Sequence, residues 1–202
     1  MKNKEINIIG GGCAALSLAR LIRNLSDYKF NLFVGENNFF NKDHFWGFWK
    51  VSVNDEAFNN ANHTWSKWSI NTNNSKYILT SVKHPYCVIK RQKWLDICKN
   101  QIESRKSRIF ENNVLEKNGK LFIKNKKIKG DFVFDSRTPK LPSNILLQHF
   151  EGFVVTSEKD VFDETIVTLM DFRCDQSRGM HFIYLLPFSK RKALVESTMF
   201  SK

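Results

Sequence analysis

The chain has little of what anchors or cross-links a protein. No apolar run approaches the roughly 20 residues a membrane-spanning helix needs. The opening stretch MKNKEINIIGGG is broken by glycines too soon to act as a signal peptide. Both absences lead to the expectation of a cytoplasmic protein. There are four cysteines, Cys13, Cys87, Cys98 and Cys174, and no CxxC pair, which excludes the common zinc and redox motifs. They read as reduced, mostly buried thiols. His44 and His63 stand far apart with no ligand spacing, so no metal site is expected. Acidic residues are in the minority, 20 against 32 basic, giving a net charge of +12. The basic residues are spread along the chain. A nucleic-acid reader would gather them on one element, so no specific nucleic-acid partner is expected. The surplus accompanies abundant Asn and Ile, as in an AT-rich genome. It also favours an anionic membrane surface, where each basic residue contributes about 1 kcal/mol. One local cluster, KNGKLFIKNKKIKG at 117–130, reads as a basic hairpin with a solvated lysine face. No internal repeat or low-complexity tract is present.

What is there is enough for an ordered core: 202 residues, 42% hydrophobic and 26% charged. The segment EINIIGGGCAALSLARLI places a short apolar strand before three glycines. Leu18, Leu21, Ile22 and Leu25 then follow at helical spacing. FNLFVGEN reads as the next strand, ending at Glu36. This is a βαβ unit. Residues 40–90 are rich in aromatics and asparagine and read as short strands and loops. Residues 91–105 form a second helix candidate with Trp94, Leu95, Cys98 and Ile102 on one face. A β-meander follows, and TPKLPSN at 138–144 marks a boundary. Beyond it come four strand candidates: EGFVVTS, TIVTLMDF, HFIYLLPFS and ALVESTMF. The expected architecture is α/β. A Rossmann-like FAD/NAD(P)-binding domain occupies 1–140, with inserted strands at 40–90, and a partial β-sheet substrate domain occupies 141–202.

Gly10-Gly11-Gly12-Cys13-Ala14-Ala15 matches G-x-G-x-x-A between a strand and a helix. Gly10 permits the tight turn, Gly12 lets the backbone approach a pyrophosphate, and Ala15 lets helix and strand pack closely. The helix N-terminus offers unpaired N–H groups to phosphate. Glu36, at the end of the second strand, can accept a hydrogen bond from a ribose hydroxyl. Gly10, Gly11, Gly12, Ala15 and Glu36 are therefore the candidate dinucleotide contacts. The motif alone does not separate FAD from NAD.

The later motifs resemble the bacterial lycopene β-cyclase family of flavoprotein type. IIGGGCAALSLA is similar to that family's nucleotide fingerprint, and HFWGFW and NHTWSKW to its His/Trp segments. YCVIKRQKW resembles the strand-to-helix step where related flavoproteins place an arginine near the cofactor, here Arg91. FVFDSR resembles an Asp-x-Arg step. LLQHFEGFVV, TLMDFRCDQSRGMHFIYLLPFS and ALVESTMFS follow in the family's order and spacing. The resemblance implies reduced FAD as cofactor, NAD(P)H as reductant, and lycopene or a related acyclic carotenoid as substrate. It also implies that Glu196, in LVEST, is the catalytic carboxyl. Asp171 and Gln176 lie in a matching motif without an assigned role. The family runs to nearly twice this length, so a truncated chain is expected.

The implied chemistry is protonation of a terminal alkene, ring closure by the neighbouring double bond, and loss of a proton, with no net redox change. An alkene is a weak base, so the acid must be kept protonated in dry surroundings, as burial among apolar side chains can do. Aromatic faces can steady the passing cation, by roughly 2 kcal/mol each when desolvated. A substrate drawn from lipid implies peripheral binding to a membrane by basic residues and exposed aromatics. Two alternatives stand beside this reading. One is another flavin-dependent oxidoreductase of the same fold, an isoprenoid reductase or a hydroxylase. The other is an inactive dinucleotide-binding fragment.

Overall fold

The computed structural model describes residues 4–35, 44–103 and 108–201. The first stretch holds β1 (Lys4–Ile9), α1 (Cys13–Ile22) and β2 (Tyr28–Val34). Then come β3 (Phe45–Trp49), α2 (Asp55–Asn59), β4 (His63–Trp65), β5 (Lys67–Asn71), β6 (Lys76–Thr80), β7 (Tyr86–Lys90) and α3 (Arg91–Glu103). The last stretch holds β8 (Arg108–Glu111), β9 (Leu115–Lys117), β10 (Lys120–Ile123), β11 (Lys126–Lys127) and β12 (Phe132–Asp135). It ends with β13 (Leu147–Thr156), β14 (Val167–Asp171), β15 (Met180–Ser189) and β16 (Lys192–Ser201). The chain divides into two compact units, Met1–Phe45 with Lys90–Pro139, and Trp46–Ile89 with Lys140–Lys202.

The first unit is built on a four-stranded sheet in the order β12-β1-β2-β8, with every pairing parallel. A parallel sheet is covered on its faces, so its strands read as apolar runs. Ile8, Ile9 and Leu32 are almost completely buried. Burial of each such side chain stabilises by about 1.5–3 kcal/mol. Two buried asparagines interrupt the run as a pair: Asn31 Nδ2 donates to Asn7 Oδ1 at 2.8 Å, and Asn7 Nδ2 donates to the Lys129 carbonyl at 3.0 Å. Buried amides are tolerated when bonded in this way.

The helix at residue 13 turns a different face inward from the one the leucine spacing suggests. Ala15, Leu16, Ala19 and Arg20 are buried, whereas Leu21 is 51% exposed and Leu25, beyond the helix end, 46%. Small residues win the inner face because they let the helix lie close to the strands. Arg20 is covered because its guanidinium lies 5.2 Å from the centroid of the Trp94 ring, a cation–π contact. Trp94 also donates its Nε1–H to Ser17 Oγ at 2.9 Å. In α3, Trp94, Leu95, Cys98 and Ile102 are all buried, as their spacing predicts.

The lysine-rich tract forms an antiparallel three-stranded sheet, β11-β10-β9. Its two turns put Asn118 and Gly119, then Lys124 and Asn125, at positive φ. Paired left-handed residues of this kind close two-residue hairpins.

The second unit carries a six-stranded sheet in the order β13-β16-β15-β14-β5-β6, and a three-stranded sheet in the order β3-β7-β4. The four C-terminal strand candidates appear as β13 to β16. The sequence reading assigned residues 40–90 to the first domain as an insertion. In the structure β5 pairs in parallel with β14 and antiparallel with β6, so these strands extend the C-terminal sheet. Periodicity cannot show this, because the partners lie about a hundred positions apart, as Ser69 and Thr168 do. The cysteines divide: Cys87 and Cys98 are buried, Cys174 is partly covered and Cys13 is exposed, all as free thiols. Cys13 departs from the expected burial: it is the first residue of α1 and exposed, with its Sγ 3.8 Å from Ser17 Oγ.

Candidate functional site

In the first unit, the turn after β1 opens onto a cavity of about 390 Å³. Gly10, Gly11, Gly12 and Arg91 all line it. Gly10 has φ of +122°, and a Cβ there would sit 2.1 Å from Ser136 Oγ. Glycine is thus required both by conformation and by space. That serine is fixed by donating its hydroxyl to the Ile9 carbonyl at 2.9 Å. Gly12 differs. It is the N-cap of α1 with an ordinary extended backbone, and a Cβ there would meet nothing within 4 Å. No side chain caps the helix, and no acid occupies its first turn. Open space beside an uncapped helix N-terminus is what an anion needs. Ala15 is buried beneath the turn, its Cβ 3.7 Å from the Cβ position of Gly10. Glu36 lies outside the described residues; β2 is described to Val34 and the chain to Gly35.

Several lining residues carry no motif. Asn112, Asn113 and Val114 come from the end of β8, and Ser136, Arg137 and Thr138 from the end of β12. Parallel pairing delivers both strand ends to the glycine turn. Arg137 is braced by Asp135, with Nη2 to Oδ2 at 2.7 Å and Nε to Oδ1 at 2.9 Å, and by donation to the Val114 carbonyl. The guanidinium holds the Asp135 carboxyl below its ordinary range. The one sequence signal here was the Asp-x-Arg step itself.

In the second unit, Glu196 sits mid-strand in β16 and is half-buried. Its register partners are Gly152 on β13 and Tyr184 on β15. Thr198, completely buried, donates its hydroxyl to Glu196 Oε1 at 3.2 Å. Phe182 lies two residues from Tyr184, so it shares that face of the sheet. The two rings are 5.3 Å apart, and Phe172 and Phe200 pack on Phe182 at 5.4 and 6.4 Å. A second aromatic group joins Trp49 to Trp68 at 4.5 Å and to Tyr86 at 5.1 Å. Burial raises the hydroxyl pKa of Tyr86 far above its ordinary value, helped by the charges of Tyr184 and Glu196. Burial and Glu196 also raise that of Tyr184. Both remain phenols at neutral pH. Tyr86 closes over Gly47, where a Cβ would meet its hydroxyl oxygen at 2.0 Å.

The other singled-out residues are structural clamps. Asp171 is held by Arg173 through Nη2 to Oδ2 at 2.6 Å and by Asn71 at 3.2 Å. Its pKa is pushed down to about 2, chiefly by the arginine. Gln176 accepts from the His181 N–H at 3.0 Å and donates to the His181 carbonyl at 2.6 Å, pinning the turn between β14 and β15. His63 stacks between Trp65 and Phe188, at 5.5 and 5.1 Å, and burial lowers its pKa. Among the described residues, no three His, Cys, Asp or Glu side chains gather as a metal site would require.

A sequence profile described as "Lycopene cyclase protein" matches residues 5–202. The chain belongs to the lycopene cyclase family. None of the curated proteins matches it. Among solved structures, this lycopene cyclase family member is similar to 2-methyl-3-hydroxypyridine-5-carboxylic acid oxygenase, with TM-score 0.66 and 14% identity over 98% of this chain and 60% of the other. It is also similar to a flavin-dependent halogenase from Xanthomonas campestris, with TM-score 0.67 and 10% identity over 100% and 56%. A third is a geranylgeranyl bacteriochlorophyll reductase-like protein from Thermoplasma acidophilum, with TM-score 0.61 and 13% identity over 98% and 56%. These likenesses establish a Rossmann-like flavoprotein fold. The chain spans somewhat under two thirds of the length of each of these proteins.

Proposed function

We propose that the protein cyclises the acyclic ends of lycopene, or of a related carotenoid, to β-ionone rings. The observation that carries this reading is the setting of Glu196. It is a half-buried carboxyl opposite Tyr184, whose ring begins an aromatic row continued by Phe182 and Phe200, on the sheet of a chain matched by the family profile over residues 5–202. The Glu196 carboxyl gives its proton to the inner carbon of the terminal double bond, which leaves a tertiary cation on the outer, dimethyl-bearing carbon. The neighbouring double bond attacks the resulting cation and closes the six-membered ring. The ring then loses a proton, and the Glu196 carboxylate is the base at hand to take it. Atoms and electrons balance within the substrate, so the reaction is an isomerisation. The rings of Tyr184 and Phe182 face the passing cation, and desolvated aromatic faces contribute roughly 2 kcal/mol each.

The cavity in the first unit suits FAD. Gly10 makes the turn, Gly12 leaves space for a pyrophosphate at the helix N-terminus, and Arg91 and Arg137 supply positive charge. Gly10, Gly12, Arg91 and Arg137 would hold the flavin in its reduced form, with NAD(P)H as reductant, and its chemistry when bound would be to supply negative charge without net electron transfer. Among the described residues no helix is long and apolar enough to cross a membrane. The substrate's insolubility and the net charge of +12 support peripheral binding to an anionic leaflet. Flotation of the protein with anionic liposomes tests that; protein left wholly at the bottom of the gradient argues against it.

The test of function is expression of the complete reading frame in cells that accumulate lycopene, with chromatography of the pigments. Cyclic carotene of unchanged mass is expected. General acid catalysis contributes about 10²–10⁴-fold, so Glu196→Gln is expected to abolish the product while keeping its bound flavin. A product of altered mass would instead point to a reductase or hydroxylase, the kinds of chemistry named for two structural neighbours, a reductase-like protein and a peptidyl tryptophan dihydroxylase. Untouched lycopene with well-expressed protein would sink the cyclase assignment for this substrate.

A further inference from the structure

We infer that Gly152 and Thr198 are positioning residues that hold the Glu196 carboxyl over the backbone of the adjacent strand, where it is presented to the olefinic end of the substrate. The inference rests on Glu196 being the proton donor.

Gly152 lies in the middle of a ten-residue strand. A glycine there weakens a strand, and marks a bulge, a bend or a close approach. A bulge is excluded: ten successive pairs run from Leu147↔Ser201 to Thr156↔Lys192 without a register shift. Among the described residues, the glycines at positive φ are Gly10, Gly119 and Gly179, so the backbone at Gly152 does not ask for glycine either. What glycine supplies is room, and Glu196 uses it. A Cβ at Gly152 would lie 3.3 Å from Glu196 Cβ, 3.4 Å from Cγ and 3.3 Å from Oε2. The glutamate side chain therefore lies along its length across Gly152.

Thr198 fixes the same side chain from the other direction. It is two residues along β16, on the same face, with no exposed surface, and its hydroxyl meets Oε1 at 3.2 Å. Its branched Cβ restricts the rotamer of that hydroxyl. Phe150 and Val154, two residues either side of Gly152, are 65% and 47% exposed and flank the gap with apolar surface. Tyr184 from β15 and Tyr86 from β7 interact electrostatically with Glu196, and both stay neutral phenols at neutral pH.

The experiment is steady-state kinetics of the flavin-loaded, full-length enzyme on lycopene in anionic vesicles. The variants are Gly152→Ala, Thr198→Val, Thr198→Ser and Glu196→Gln, with melting temperature and flavin content measured for each. Misplacing a reacting group by about 1 Å costs on the order of 10²-fold. A new Cβ obliges the glutamate side chain to give by a few tenths of an ångström, so Gly152→Ala is expected to lower kcat by a smaller factor, roughly three- to ten-fold, with KM within about two-fold and the fold retained. Thr198→Val removes a hydrogen bond to the charged form of the carboxyl. The alkaline limb of the kcat profile should then move to higher pH, and Thr198→Ser, which keeps the hydroxyl, should return it. Parent-like kcat in Gly152→Ala together with an unmoved pH profile in Thr198→Val, beside an inactive Glu196→Gln, overturns this inference alone. So does a loss of kcat that merely follows lost flavin or a fallen melting temperature in both variants. An active Glu196→Gln enzyme overturns the acid assignment and this inference with it.

Discussion

The two units build their sites by opposite means. In the first, the glycine turn is contiguous in sequence, and its backbone, helix N-terminus and open space form the heart of the cavity. In the second, Glu196 takes its setting from Gly152 and Tyr184 on neighbouring strands, and only Thr198 lies close by in sequence. A backbone site is specified by the absence of side chains and tolerates variation around it. A cross-strand site is specified by register, and a shift of one residue would send every partner to the opposite face. The first kind reads as a motif, and the second appears only when the sheet is assembled.

Substitutions can break or sharpen that contrast. The largest effect is expected at Gly10. Alanine there takes on about 1–3 kcal/mol of backbone strain and collides with Ser136 Oγ. Gly10→Ala should therefore lose flavin and melt well below the parent, read by flavin absorbance and thermal unfolding. Next is Tyr184→Leu, which removes one aromatic face from beside Glu196. A loss of about 2 kcal/mol of cation stabilisation corresponds to a roughly 30-fold lower kcat. Tyr184→Phe should keep most of that rate; equal losses in the two variants would deny the ring its role. Smaller again is Gly12→Ser. The backbone there is ordinary, the space is open, and serine is a good N-cap. Stability should stay within about 0.5 kcal/mol of the parent, while the new hydroxyl competes for the helix amides. Flavin affinity should fall by about ten-fold, which titration can measure. The smallest effect belongs to Asp171→Asn. The folded pKa of Asp171, about 2, lies below its ordinary 3.8. Its contribution is therefore present above about pH 4 and lost as pH falls toward 2. Acid unfolding followed by circular dichroism should be shallower across that window in Asp171→Asn.

How much was legible follows the same division. The βαβ start, the apolar face of α3 and the glycine turn were readable, because each depends on neighbours within a few turns of chain. The inner face of α1 was not legible, since leucine spacing cannot reveal that close packing on a sheet favours Ala15 and Ala19. Ser136, Arg137 and the Asn112–Asn113 pair reach the cavity through parallel strand pairing; the Asp-x-Arg step marked the first two, and no local pattern marked the asparagines. The placement of β5 and β6 in the C-terminal sheet was hidden for the same reason. Glu196 stood out through family resemblance, and Gly152 and Thr198 gave no signal until the register placed them beside it.

The chain order of the first sheet also bears on synthesis. β1 is made first, yet one of its flanks is filled by β12, and the Glu5 N–H bonds to Asp131, 126 positions later. A ribosome making this protein therefore releases the first strand long before its last partner exists. Contacts of such long range are slow to form, because the intervening chain must first be closed into a loop. Nascent chains stalled before residue 131 should stay protease-sensitive around β1, and those that have cleared β12 should become protected there.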